Sequence, residues 1–296
     1  MNDQLIELRA LASKAENRRT ETGIPRVAMV QGEIPEHMLA AVYDPMINLI
    51  LQGSKTMTVG NRTLRYDPAT YFVMSIELPA VGTVHPTASG EPYLALSLTL
   101  DPTVLSTLLT DLPPLILHGE NENDAGFSVA ATTPALMDAW LRMLRLMNSP
   151  EEIAALAPVY EREILYRVLQ GPHGWMLRDI AAPDTAMARI SQAIQWIRRD
   201  FAEPIRVEML ARKAAMSVSA FHRHFKAITT LSPLQYQKRV RLLQARMLMV
   251  ASARSVTSAA FEVGYESATQ FSRDYARIFG LPPSRDTARI LRETKR

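Results

Sequence analysis

The chain has 296 residues and no cysteine. It is long enough for two domains with separate cores, and its composition excludes disulfides, thiolate metal sites and cysteine nucleophiles. The formal net charge of +3 is unevenly distributed: residues 1–180 contain 13 Lys and Arg against 21 Asp and Glu, a net charge of −8, whereas residues 181–296 contain 20 against 9, a net charge of +11.

The N-terminal segment lacks the composition of a signal peptide, because charged residues interrupt its leucines between Met1 and Ala15. No apolar run approaches the roughly 18 residues that are needed to cross a bilayer. We therefore expect a cytoplasmic protein with no membrane partner.

The first domain is predicted to be a β-structure that follows one helix, at residues 4–17. Short runs rich in β-branched and aromatic residues, separated by Gly, Pro, Asn or Asp, predict strands at Arg26–Val30, Met46–Leu51, Lys55–Val59, Arg62–Tyr66, Tyr71–Ile76 and Tyr93–Leu100. Gly60-Asn61 joins two of these strands as a two-residue hairpin turn. Many short strands at this spacing favour a small sandwich or barrel.

Mostly helical segments follow the β-region. Asp101 is a suitable N-cap for a helix through Leu109, and one further strand is expected at Phe127–Ala131. Two long helices with apolar stripes, Pro134–Asn148 and Pro150–Gln170, predict an antiparallel pair. This pair has two interpretations, which are compatible: it covers the open side of the β-domain, or it supplies a self-complementary dimer surface.

The second domain is predicted to contain two helix-turn-helix units, after a boundary between Gly174 and Ala181 and an opening helix from Thr185 to Phe201. Its central feature is a repeat, because Ser217–Lys226 recurs as Ser267–Ala276 with the shared pattern Ser-x-x-x-Phe-x-Arg-x-aromatic. Each copy reads as a short helix, a tight turn and a second helix with a serine N-cap. We expect the long helix between the copies, from Pro233 to about Ala251, to fix the two units rigidly relative to each other.

Each second helix of the repeat has an apolar face and a polar face. The apolar faces comprise Phe221, Phe225 and Ile228 in the first copy and Phe271, Tyr275 and Ile278 in the second. One copy alone would be equally consistent with a plain core helix, but two copies in register argue against chance. The positive charge of this domain is typical of a phosphate-binding surface, and the acidic first domain is not expected to bind nucleic acid.

Several motifs carry a resemblance to a known family. They are Leu210-Ala211, Met216-Ser217, Phe221-x-Arg223-x-Phe225-Lys226 and Pro233 in the first copy, and Val263-Gly264-Tyr265-x-Ser267, Gln270-Phe271-Ser272-Arg273 and Phe279-Gly280-x-Pro282-Pro283 in the second. Over residues 184–291 the chain resembles the AraC/XylS-type bacterial transcriptional regulators. Upstream, Pro45-x-Ile47-x-x-Ile50-Leu51-Gln52-Gly53-x-Lys55 resembles the cupin-like N-terminal domain of one branch of that family.

The resemblance implies an α+β protein with two domains. Residues 1–180 would form a cupin-like β-barrel with a helix pair at 134–170, used for effector binding and dimerisation. Residues 184–296 would form an all-α DNA-binding domain with two helix-turn-helix motifs, at about 206–229 and 255–279. The implied partners are double-stranded promoter DNA, a small-molecule effector, the transcription machinery and a second copy of the chain, with no cofactor.

The family's DNA-contacting positions carry over residue by residue. The base-reading positions fall on Ser219, His222, Arg223, Ala268, Thr269, Ser272 and Arg273, and Lys226 and Arg277 suit phosphate contacts. An arginine can bind guanine O6 and N7 in a bidentate manner, which is worth about 1–3 kcal/mol of discrimination. The alternative for Arg223 and Arg273 is a structural salt bridge within the same unit.

Two residues depart from the family pattern. Asp286 stands where both the repeat, through Tyr236, and the family predict an aromatic residue, which puts the packing of the final helix and the second unit's affinity in question. Ala276 stands where the family favours lysine, which removes one expected phosphate contact. We therefore expect the first unit to supply more of the DNA affinity.

The candidate effector-lining residues are Met57, Tyr71, Val73, Met74, Glu77, His85 and Tyr93; the rival hypothesis is an N-terminal domain that only dimerises. A metal enzyme is not expected, because the His-x-His and Glu cluster of metal-binding cupins is absent and His37, His85 and His118 are isolated. The pair His222 and His224 would lie about 200° apart on a helix. A metal-independent cupin-type enzyme fused to a DNA-binding domain remains the alternative to a regulator.

Overall fold

The computed structural model describes residues 2–16, 18–32, 40–112, 125–182 and 184–293. It confirms the predicted α+β class, with two antiparallel sheets in the N-terminal part and an all-helical C-terminal part. The strands are β1 (Arg18–Glu21), β2 (Val27–Gly32), β3 (Ala41–Tyr43), β4 (Met46–Gln52), β5 (Ser54–Val59), β6 (Arg62–Tyr66), β7 (Thr70–Met74), β8 (Leu78–His85), β9 (Tyr93–Thr99) and β10 (Phe127–Ala131).

The two sheets differ in size. One has six strands in the order β1-β2-β9-β4-β7-β10, and the other has four in the order β3-β8-β5-β6. The predicted hairpin is present, since Val59 pairs with Arg62 and the turn residue Gly60 has a φ of 61°. Three strands were not predicted. β1 is a charged edge strand, β3 has three residues, and β8 contains Pro79 and Gly82, which weaken a strand signal.

Within the described ranges the N-terminal part has five α-helices: α1 (Asn2–Ala12), α2 (Pro102–Asp111), α3 (Pro134–Arg145), α4 (Ile153–Leu169) and α5 (Gly174–Ala181). Asp101 caps α2 as predicted, accepting a hydrogen bond from the Thr103 N–H. The antiparallel α3–α4 pair packs on the six-stranded sheet, with Trp140 and Ile164 fully buried. Burial against the sheet therefore accounts for the inner stripes, while Val159 on α4 is 56% exposed.

Between residues 184 and 293 the structure has seven α-helices: α6 (Ala186–Arg199), α7 (Val207–Lys213), α8 (Val218–Thr229), α9 (Pro233–Ala251), α10 (Val256–Glu262), α11 (Ala268–Phe279) and α12 (Pro283–Glu293). The α7–α8 and α10–α11 pairs correspond to the two halves of the repeat. Ser217 and Ser267 cap α8 and α11 by accepting hydrogen bonds from backbone N–H groups three residues later. The turns before them have left-handed residues, Ala215 with φ 50° and Gly264 with φ 83°.

The two parts share a continuous apolar core. Buried residues of the four-stranded sheet and of α6, α8 and α9 form one cluster, in which the ring of Phe225 lies edge-on to that of Tyr236. Polar contacts reinforce it: the Tyr236 hydroxyl donates to Glu77 O at 2.9 Å, and the Thr230 hydroxyl donates to Val59 O at 3.0 Å. The first helix-turn-helix unit is thereby held against the β-domain.

Candidate nucleic-acid interface and interdomain cavity

The polar face of α8 is directed to solvent because its aromatic face is in the core. Phe221 and Phe225 are fully buried, whereas the predicted contact residues Ser219, His222, Arg223 and Lys226 are all exposed. Arg223 forms no ion pair with any residue that the structure describes. The guanidinium of Arg223 is therefore not held in a structural salt bridge with any of those residues.

Helix α11 presents a similar but less basic face. Thr269, Arg273 and Arg277 are exposed, while Ala268 and Ser272 are half-buried. Within the described part of the chain Arg273 has no ion-pair partner, but Arg277 Nη2 lies 3.0 Å from Asp274 Oδ1. The second helix therefore has one unpaired exposed arginine on the predicted surface.

Helix α9 connects the two units through specific polar contacts. Arg241 donates from Nη2 to Ala202 O and from Nη1 to Gly264 O, each at 2.9 Å. Lys238 Nζ lies 3.0 Å from the buried Asp274 carboxylate of α11. These contacts support the expectation of a rigid connector, because α9 is fixed to the segment before α7 and to the turn before α11.

Asp286 packs the final helix by a mechanism that the repeat did not predict. Its carboxylate is fully buried and accepts hydrogen bonds from Arg246 Nε at 2.9 Å, Arg289 Nη2 at 2.7 Å and the Tyr275 hydroxyl at 2.8 Å. Burial acts to raise the pKa of Asp286, but these donors together hold it below its ordinary value. A buried ionic cluster thus takes the place of the expected aromatic residue.

The predicted effector residues lie in different parts of the β-domain. Met57, Met74 and Tyr93 are buried in the core between the sheets, whereas Tyr71 and Val73 face the helices on the other side of the larger sheet.

The remaining two candidates make polar contacts. Glu77 forms an ion pair with Arg198, and His85 Nε2 lies 3.0 Å from Thr56 Oγ1. The seven residues do not gather in one site, and their role in effector binding stays a prediction.

A cavity of about 550 Å³ lies between the β-domain and the helices. Its mainly apolar wall includes Val30, Val42, Met46, Leu243, Met247, Val250 and Ile290. The charged side chains in the wall are Arg19, Asp44, Lys55 and Arg246, and Asn48 adds a neutral polar group. None of the seven predicted residues lines the cavity. The strand alternation could have indicated Lys55, since it shares a face with the buried Met57 and Val59.

Lys55 is an unusual residue for the wall of such a cavity. It is only 5% exposed, and burial lowers the pKa of its ammonium group to about 8. Among the described residues no carboxylate lies within ion-pair distance of Nζ, and the nearest aromatic ring is that of Tyr43, 5.1 Å from Nζ to the ring centroid. Gly82 leaves room for the side chain, because a Cβ there would lie 2.8 Å from Lys55 Cε.

Two other kinds of feature are absent from the described ranges. No group of three or more His, Asp or Glu side chains there could hold a metal ion. His37 and His118 lie outside the described residues. No helix in those ranges is long and apolar enough to span a membrane.

Solved structures with the same fold include two forms of ToxT from Vibrio cholerae. An apo variant matches with a TM-score of 0.58 at 10% identity, covering 92% of this chain and 98% of that one. Wild-type ToxT with a bound unsaturated fatty acid matches with a TM-score of 0.56 at 12% identity, covering 88% and 94%. At these identities the likeness concerns the fold alone.

Sequence relatives point to a family. The HTH-type transcriptional activators RhaS of Escherichia fergusonii and Klebsiella pneumoniae are each 34% identical to this chain, over 145 and 143 residues. These matches cover 47% of this chain and 51% and 49% of the relatives, so the chain spans about half the length of the curated relatives it matches. A helix-turn-helix domain model matches residues 210–289, and a model described as AraC-type transcriptional regulator N-terminus matches residues 23–176. Because the latter covers more than half of the chain, the protein belongs to the AraC-type transcriptional regulators.

Proposed function

We propose that the protein is a sequence-specific DNA-binding transcriptional regulator in which α8 and α11 enter successive major-groove segments of promoter DNA. The observation that carries this proposal is the pair of recognition helices with exposed Arg223 and Arg273, neither of which has an ion-pair partner among the described residues. The rigid connection through α9 suits a separation of about one helical turn, or ~34 Å. Homodimerisation and contact with the transcription machinery belong to the same proposal.

The test uses the full-length chain. Selection from a random duplex pool should yield a bipartite site, which then serves as the probe for measurements of affinity at several salt concentrations. Arg223→Ala should weaken binding and relax specificity at one base position, while Lys226→Ala should weaken binding uniformly and flatten the salt dependence. A selection that enriches no sequence at low salt would count against the proposal.

We further propose that the interdomain cavity binds an amphipathic carboxylate as the effector. Its volume lies in the range of small-molecule sites, about 300–1,000 Å³. Lys55 supplies an ammonium group without a protein counter-ion among the described residues, and the apolar wall suits a hydrocarbon chain. The unsaturated fatty acid bound to the structurally similar ToxT supports this ligand class.

The effector proposal is tested by calorimetry with oleate and its neutral analogue oleyl alcohol, both below their micelle-forming concentrations. Oleate should bind more tightly, and its affinity should fall as the pH rises above about 8, where Lys55 of the free protein loses its proton. Lys55→Met should remove most of the preference for the carboxylate. The exposed Lys14→Met is the matched control, and absence of oleate binding to the unaltered protein would favour a domain that only dimerises.

A further inference from the structure

Arg246 touches both the cavity and the second helix-turn-helix unit. It lies on α9 and lines the cavity, while its guanidinium lies over the ring of Phe279 of α11, 4.8 Å from the ring centroid. Its Nε and Nη2 donate to the two oxygens of Asp286, at 2.9 and 3.4 Å. Nη1 donates to no residue that the structure describes, so one donor of a cavity-lining side chain is available to an anion.

Asp286 extends this contact to the recognition helix. The Tyr275 hydroxyl of α11 donates to Oδ2, the same oxygen that accepts from Arg246 Nε. Any change in the hydrogen bonds between Arg246 and Asp286 therefore alters the hydrogen bond from the Tyr275 hydroxyl to Asp286. Since Tyr275 is fully buried one turn from Ser272, the orientation of the DNA-facing side of α11 depends on it.

The ionic cluster is particular to the second unit. The buried row of α6 consists of Ile190, Ala193, Ile194 and Ile197. With the same spacing, the buried row of α9 consists of Leu242, Ala245, Arg246 and Met249. The aromatic Tyr236 of the first unit recurs as Asp286. In the first unit the two positions are thus occupied by the buried Ile194 and Tyr236, whereas the unit that borders the cavity has the buried ion pair of Arg246 and Asp286 there. Buried ion pairs rarely stabilise a protein more than apolar residues of similar size, so packing alone does not account for the exchange.

We infer that Arg246 is a positioning residue through which an anion in the cavity acts on the recognition helix α11. The inference rests on the proposed effector cavity. An anion that reaches Nη1 competes with Asp286 for the positive charge of the guanidinium. The hydrogen bond from the Tyr275 hydroxyl to Asp286 then changes in strength. Effector binding and DNA binding are then coupled through this cluster, and each changes the affinity of the other by the same factor.

The experiment measures the affinity of the full chain for its selected DNA site without and with saturating oleate. The unaltered protein should show a change of about 5-fold or more. The double variant Arg246→Ile with Asp286→Tyr places the first unit's residues at these two positions and removes both charges of the buried ion pair. Arg289 loses its carboxylate partner in this variant, but its side chain is 34% exposed and can turn to solvent. It should fold and bind DNA, and oleate should still bind through Lys55, but more weakly because the contact with Nη1 is lost. At saturating oleate its affinity for DNA should be the same as without oleate.

Arg289→Gln is the matched control, because Arg289 also donates to Asp286 but does not line the cavity. It should lower stability and leave the effect of oleate in place, whereas a purely structural role of the cluster would make both variants behave alike. If the double variant binds oleate and retains the full change in DNA affinity, the inference is overturned and the effector proposal stands. If the unaltered protein binds no oleate, both are overturned.

Discussion

Lys55 should destabilise the protein at neutral pH, and its replacement should reveal by how much. Burial lowers the pKa of the folded-state ammonium group from 10.5 to about 8. A pKa difference of this size corresponds to about 3 kcal/mol of unfolding free energy. The folded state is less stable by this amount while it holds the buried charge. Because the pKa of Lys55 is lower in the folded state, the unfolded chain binds more protons than the folded chain at pH values between about 8 and 10.5. Stability should therefore rise as the pH increases from about 8 to above 10, once Lys55 is neutral in both states.

The perturbation is Lys55→Met, which shortens the side chain by one atom and removes the charge. At about pH 7 the variant should be more stable than the unaltered protein by as much as ~3 kcal/mol, measured by urea unfolding. The difference should shrink as the pH rises through 8 to 10, whereas Lys14→Met should produce no such change. Equal stabilities at all pH values, or a variant less stable at neutral pH, would refute the reasoning that Lys55 is an uncompensated buried charge.

Two further predictions concern residues with a positive φ. Ala215→Gly should stabilise the protein by about 0.5–1 kcal/mol, because φ is 50° at this residue and the second unit has Gly264 at the matching turn. Thermal unfolding would measure the gain in stability, and a lower unfolding midpoint for the variant would contradict the prediction. Gly60→Ala should destabilise the protein by about 1 kcal/mol or more, since its Cβ would lie 2.1 Å from Thr230 Oγ1. Combining it with Thr230→Gly should recover part of this loss in a double-mutant cycle, and strictly additive effects would argue against the contact.

Local patterns in the sequence were sufficient to predict the helix-turn-helix units and the hairpin. Ser217 and Ser267 act on backbone groups three residues away, and the aromatic positions of α8 recur with the helical period. Likewise, the turn at Gly60 depends on its own backbone conformation. Interactions of this kind are confined to a few neighbouring residues, so the order of amino acids alone specifies them.

The parts that could not be predicted depend on residues distant in the chain. Lys55 and Arg246 line the same cavity although 191 positions separate their numbers, and neither shows in sequence that it borders the other domain. From the sequence, Asp286 puts the packing of the final helix in question, because its counter-charges, Arg246 and Arg289, have the sequence appearance of surface residues. Only the tertiary structure shows that Arg246 is buried beside it.

The two units are held to the β-domain by different kinds of contact, which indicates where an effector can act. The first unit ends at Thr230, whose φ of 62° is unfavourable for a threonine and is offset by its hydrogen bond to Val59 O. The second unit ends at Gly280, which reaches the same conformation without such a contact. A hydrogen bond to the backbone of the β-domain thus fixes the end of the first unit, while the second unit borders the cavity through α9 and α12. A ligand shifts an equilibrium only by its differential affinity for two states, so an effector in this cavity should change the position of the second unit more than that of the first.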